Sequence, residues 1–163
     1  MNPRINMFDV NPKAIQTMMA MQAYVNGSGL EARLLHLVKL RASQVNGCAY
    51  CTDMHTKDAR AEGETEQRLY ALGAWRETPL YDARERAALA WTEAVTLITE
   101  GHVPDHEFLA VREQFSEEEL VDLTLAITTS NAWNRLCVSF RAVPGTYQRQ
   151  VSSVSLSSSR RQA

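Results

Sequence analysis

The chain has 163 residues, 45% of them apolar and 22% charged, an ordinary globular composition that excludes fibrous and wholly disordered classes. Lys and Arg number 17 against 19 Asp and Glu, a formal charge of −2 that offers no basic field for nucleic acid or an anionic membrane. Three cysteines are too few for a secreted disulfide scaffold. The amino-terminal segment lacks a signal-peptide core, and no run approaches the ~18 apolar residues of a membrane span, so the cytoplasm is the expected address.

The punctuation predicts an all-α protein of about six or seven helices in one domain over residues 1–149, followed by a serine-rich tail over 150–163 read as flexible. Asn11-Pro12 starts a first helix with an expected buried stripe of Ile15, Met18, Met19 and Val25, stopped at Asn26-Gly27-Ser28-Gly29. A second helix runs from Leu30 to Gln44 and ends at Asn46-Gly47. The third spans Ala49 to Ala61 with Gly63 as its left-handed cap, and Thr65 opens a short helix through Leu72. Asp82 caps a long helix expected to reach Gly101, and Pro104-Asp105 opens another short one. Ser116 with Glu119 forms a capping box before the most apolar segment, Leu120 to Val143.

The chemistry concentrates in Cys48-Ala49-Tyr50-Cys51 and the following His55, where a helix should begin. At ~100° per residue, Cys51 lies ~60° and His55 ~20° from Cys48 around the axis, so the three share a face. A helix amino terminus favours a thiolate, and an imidazole one turn from Cys51 can take its proton or pair with its anion. The second thiol then captures the oxidised first as a disulfide. The same residues suit zinc, with Cys48, Cys51 and His55 as three ligands and His36 as a fourth. Spacing alone leaves redox and metal chemistry open. Cys137, alone in the long apolar helix, reads as a buried inert thiol, and His102 and His106 as surface residues. Trp133 and Arg135 put polar groups into that same helix and predict a hydrogen-bonded cluster near an interface or pocket.

The stretch Leu37-Val38-Lys39-Leu40-Arg41-Ala42-Ser43-Gln44-Val45-Asn46-Gly47-Cys48-Ala49-Tyr50-Cys51, then Asp53-Met54-His55, resembles the carboxymuconolactone decarboxylase-like superfamily, on its AhpD-like alkylhydroperoxidase branch. Asn131-Ala132-Trp133-Asn134-Arg135 extends the likeness, which covers about Asn11 to Gly145. The resemblance implies an AhpD-like helical bundle and a homo-oligomer, trimer or hexamer. It also implies reduction of an organic hydroperoxide without a cofactor, with a thiol or dithiol as electron donor. By position it implies Cys51 as the attacking thiolate, Cys48 as the resolving thiol and His55 as the proton relay. The family's peroxidases carry a glutamate base twelve residues before the first cysteine, where this chain has His36. A histidine there can accept a proton at neutral pH but brings no permanent negative charge. Tyr50 stands where some members have a histidine. Decarboxylase members lack the cysteine pair, so its presence argues against their action on a lactone acid, which stays as the alternative activity beside a zinc-binding or structural oligomer with no redox activity.

Overall fold

Side-chain caps set the helix starts in this computed structural model, which describes residues 2–149. The expected tail lies outside the described residues. Asn6 caps α1 (Met7–Val10), and Asn11 caps α2 (Pro12–Gly27) by accepting the Ala14 N–H at 3.2 Å. After α3 (Ala32–Val45) the chain turns through Gly47, whose φ of +64° suits glycine and brings it directly into α4 (Ala49–Ala61). Thr65 caps α5 (Glu66–Ala71), which tightens into a 3₁₀ segment, Leu72–Glu77. Reciprocal capping boxes at Asp82 and Ser116 start α6 (Ala83–Thr96) and α9 (Glu117–Phe140). Between them lie α7 (Ile98–Gly101) and α8 (Asp105–Arg112).

The all-α expectation holds, with nine α-helices and one 3₁₀ segment among the described residues against the six or seven expected. One cause is the long helix expected to reach Gly101, which breaks at Leu97, where ψ turns to +35°. Leu97 and Ile98 are exposed there, so no packed face holds the helix straight. The stripe expected on α2 is also thinner than its spacing suggests. Ile15 and Val25 are buried, while Met19 is 54% exposed.

The core is organised around α3, which buries two faces. Leu34, Leu35 and Val38 pack with Trp91, Leu123 and Ile127 of α6 and α9. Leu37 and Leu40 pack with Leu72, Trp75 and Leu89. Complete burial of a leucine side chain contributes roughly 2 kcal/mol, so this two-sided packing fixes α3 firmly. A third, small cluster forms where the start of α4 meets the last turns of α9: Cys48, Cys51 and Cys137, with Met7, Tyr50 and Ala142 against them.

Candidate active site

Asn46, the C-cap of α3, aims the start of α4. Its side-chain amide donates to Ala42 O at 2.9 Å, Asn131 Oδ1 at 2.6 Å and Asn134 Oδ1 at 2.9 Å, clamping the Asn46-Gly47 turn onto α9. Asn134 in turn donates to Ser43 Oγ at 3.1 Å, and Asn131 to Thr96 Oγ1 at 3.3 Å. The polar cluster expected around Trp133 and Arg135 is therefore present, with the two asparagines as its centre. Arg135 donates to Asn131 O at 3.0 Å, and Trp133 lines the adjacent cavity.

With the turn fixed, Cys48 becomes the N-cap of α4 and its sulfur accepts the Cys51 N–H at 3.3 Å. The sulfurs of Cys48 and Cys51 are in direct contact at 2.6 Å, and both residues are 1% exposed. Cys137 corrects the sequence reading. It is buried as expected, but its sulfur forms one group with those of Cys48 and Cys51, all within 4.8 Å of one another. The sequence does carry a signal for it: Cys137 stands three residues beyond Asn134, on the α9 face that grips Asn46. Among the described residues that close-packed set of possible ligands contains no histidine, so the grouping of Cys48 and Cys51 with His55 and His36 is not the one brought together.

The thiols are electrostatically unequal. Hydrogen bonding from the Cys137 thiol, then from Cys51, pulls the Cys48 thiol pKa well below its ordinary value despite burial, with the Cys51 N–H adding to the effect. The proton withheld from Cys48 stays on its neighbours. Hydrogen bonding to Cys137 and Cys48, then burial, raises Cys51. Hydrogen bonding to Cys48, then burial, raises Cys137. The cluster thus favours one thiolate, at the helix N-cap, held by two thiols.

His55 is 8% exposed, and burial, followed by the charges of Lys39 and His36, drives its pKa down to about 3. It is a neutral imidazole at pH 7. No hydrogen bond joins it to either thiol of the pair among the described residues. His36 arrives from α3, as antiparallel packing of α3 on α4 allows, and its pKa is lowered by burial and then by Lys39. Among the described residues its Nδ1 is buried without a hydrogen-bond partner. Lys39, one turn further along α3, is buried and donates to Asn26 Oδ1 at 3.0 Å. Sequence reasoning passed over it. His102 and His106 are exposed, as expected.

Cys51, His55, His36, Lys39, Tyr50 and Trp133 line one side of a cavity of about 1030 Å³. Cys137 also reaches its wall, whereas Cys48 does not. Cys51 therefore stands on the cavity wall with Cys48 in contact behind it. A volume of this size accommodates a drug-sized or lipid-like organic molecule.

A family model, CMD, the carboxymuconolactone decarboxylase family, matches residues 12–94, half of the chain. The uncharacterized protein YdfG of Bacillus subtilis (strain 168) is 45% identical over 138 residues, covering 85% of this chain and 94% of its own. A solved structure of a protein of unknown function from Agrobacterium tumefaciens, attributed to antioxidant defence as an AhpD, superposes with a TM-score of 0.87. It is 46% identical, with 90% of this chain and 100% of that one covered. The debrominase Bmp8 shares the fold at a TM-score of 0.76 and 19% identity, over 83% of this chain and 73% of its own. No described helix is long and apolar enough to cross a membrane. By sequence match and by fold, the chain belongs to the carboxymuconolactone decarboxylase family, on its AhpD-like side.

Proposed function

We propose that the protein is a thiol peroxidase that reduces organic hydroperoxides through Cys51 and Cys48 and is returned to the dithiol by an external thiol or dithiol donor. The observation that carries this reading is the paired arrangement of Cys51, on the cavity wall, with its sulfur in contact with that of Cys48 at the α4 N-cap. Cys51 sulfur attacks the terminal peroxide oxygen and the O–O bond breaks, while the neutral His55 imidazole takes the thiol proton and passes it to the departing alkoxide. The products are an alcohol and Cys51 sulfenic acid. Burial disfavours a charged His55, so the imidazole hands the proton on rather than keeping it. The Cys48 thiolate then attacks Cys51 sulfur. An S–S bond forms, the S–O bond breaks, and hydroxide leaves as water after gaining one proton. His36, on the same cavity wall and with its Nδ1 unpartnered among the described residues, is the second proton acceptor of the relay.

The assay is loss of a bulky hydroperoxide such as cumene hydroperoxide in the presence of a dithiol reductant. Wild type turns it over, and Cys51→Ser lowers the rate at least a hundredfold. Undiminished turnover in Cys51→Ser rejects the reading. Because the fold is shared with a debrominase, bromide release from a brominated aromatic is the control reaction and is expected to stay at background. The three clustered sulfurs favour one second reading, a zinc centre. Stoichiometric zinc in freshly purified protein, with all three thiols masked, supports it over the redox reading.

We also infer that copies of the chain associate, because the outer side of α9 and the adjacent α2 leave large apolar side chains exposed, Val121 at 68% and Tyr24 at 57%.

A further inference from the structure

The pair Cys48 and Cys51 lies within a few residues on one helix, but the third sulfur in the cluster comes from another element. Cys137 sits on α9, is 5% exposed, and has its sulfur within 4.8 Å of both partners. It also reaches the cavity wall beside Cys51, the position at which oxidation begins if the protein is a peroxidase. Resting on that peroxidase reading, we propose that Cys137 is a third redox thiol, which condenses with oxidised Cys51 to form a disulfide that ties α4 to α9.

Two balanced routes lead to it. In the first, Cys51 sulfenic acid and the Cys137 thiol give a Cys51–Cys137 disulfide and one water, the hydroperoxide having supplied the two oxidising equivalents. In the second, the Cys48–Cys51 disulfide forms first. The Cys137 thiol loses its proton to solvent, its sulfur attacks Cys51, a new S–S bond forms, the old one breaks, and Cys48 leaves as a thiolate. The leaving Cys48 thiolate keeps the Cys51 N–H at the α4 N-cap, 3.3 Å away, which favours the thiolate as leaving group. Forming the Cys48–Cys51 disulfide also removes the thiolate whose hydrogen bond is the main cause of the raised Cys137 pKa, so Cys137 becomes a better nucleophile only after the first disulfide exists. Access to solvent adds a functional asymmetry. A Cys51–Cys137 disulfide joins two residues of the cavity wall, the side from which a reductant would approach, whereas Cys48 is not a wall residue.

The test uses the full chain, treated in parallel with cumene hydroperoxide and with diamide, alkylated, digested with trypsin and mapped by mass spectrometry. Cys48 and Cys51 fall in the peptide 42–57 and Cys137 in the peptide 136–141, so a link to Cys137 joins two peptides and fragmentation identifies its partner. Oxidised wild type is expected to yield the joined peptides through Cys51, from a chain that runs as a monomer on a non-reducing gel. Cys48→Ser is expected to give the same link, with dimedone labelling of Cys51 at least tenfold lower than in Cys48→Ser/Cys137→Ala, where the sulfenic acid has no partner. Absence of the joined peptides from oxidised wild type, or equal dimedone labelling in the single and double variants, overturns the proposal. The wild-type map decides the matter even if a variant fails to fold. A link formed by diamide but never by hydroperoxide keeps the third thiol and removes the peroxidase reading instead.

Discussion

His55 shows at the scale of one residue what burial does to a group chosen for proton transfer. Its position one turn from Cys51 is legible in the spacing of the motif, but its protonation state is not, because that depends on Lys39 and His36 from α3 and on how completely the site is closed. A folded-state pKa of about 3 lies below the unfolded value of ~6.5, so between these limits the unfolded chain binds more protons. Stability contributed by the neutral imidazole is present above pH ~6.5 and is lost as pH falls through that window, about 1.4 kcal/mol for each unit well inside it. Wild type is therefore expected to lose about 2 kcal/mol through His55 between pH 7 and pH 5. Urea unfolding at the two pH values measures the loss, and His55→Gln should lack that share of it while retaining the smaller contribution of His36, whose pKa is also lowered. An identical pH loss in the variant would place His55 in contact with water. Cys137 is the opposite case: its burial is legible from the apolar helix around it, but its contact with the pair is made by the fold.

The helices themselves were more legible than their contacts. Asn11, Thr65, Asp82 and Ser116 each cap where their side chains predict, because capping is decided within three or four residues. The 3₁₀ segment and the break at Leu97 were not, since each depends on packing from other parts of the chain. The Asn46 clamp joins these two levels. Asn46-Gly47 reads locally as a helix stop, and only the folded chain shows its amide spanning α3 and α9 to set the direction of α4. Asn46→Ala leaves the side-chain oxygens of buried Asn131 and Asn134 without that donor. The expected cost is about 2 kcal/mol, a fall in Tm of roughly 4–8 °C for a chain of this size. The loosened α4 N-terminus should also hold the Cys48 thiolate less well, which slows alkylation by iodoacetamide at pH 6. A variant that melts with wild type and alkylates at the same rate would show that Gly47 and the α3–α4 packing aim the helix without the clamp.

At the scale of the whole molecule, α9 is the element that the single chain does not fully use. Its inner side, Leu120, Leu123, Ala126 and Ile127, is buried in the core, yet its outer side carries Val121 at 68% and Val138 at 51% exposure. The apolar area does not stop at the helix. Tyr24 of α2 donates its hydroxyl to Asp122 at 2.9 Å, which lays its exposed ring beside the start of α9. Large apolar side chains left exposed on neighbouring helices mark a candidate association surface. The partner that buries an α2–α9 face with the fewest new requirements is a second copy of that face or of its neighbour, the closed symmetric arrangement that soluble oligomers favour. Light scattering after gel filtration should give three or six times the subunit mass for wild type. Val121→Glu places a charge at the centre of the patch without touching the thiols, and should shift the population to smaller species at unchanged helicity by circular dichroism. A monomeric wild type, or a Val121→Glu protein of unchanged mass, would show that this face stays open to water. If the smaller species still forms the disulfide of the CxxC pair with hydroperoxide, the redox chemistry belongs to the single chain and the assembly serves its stability.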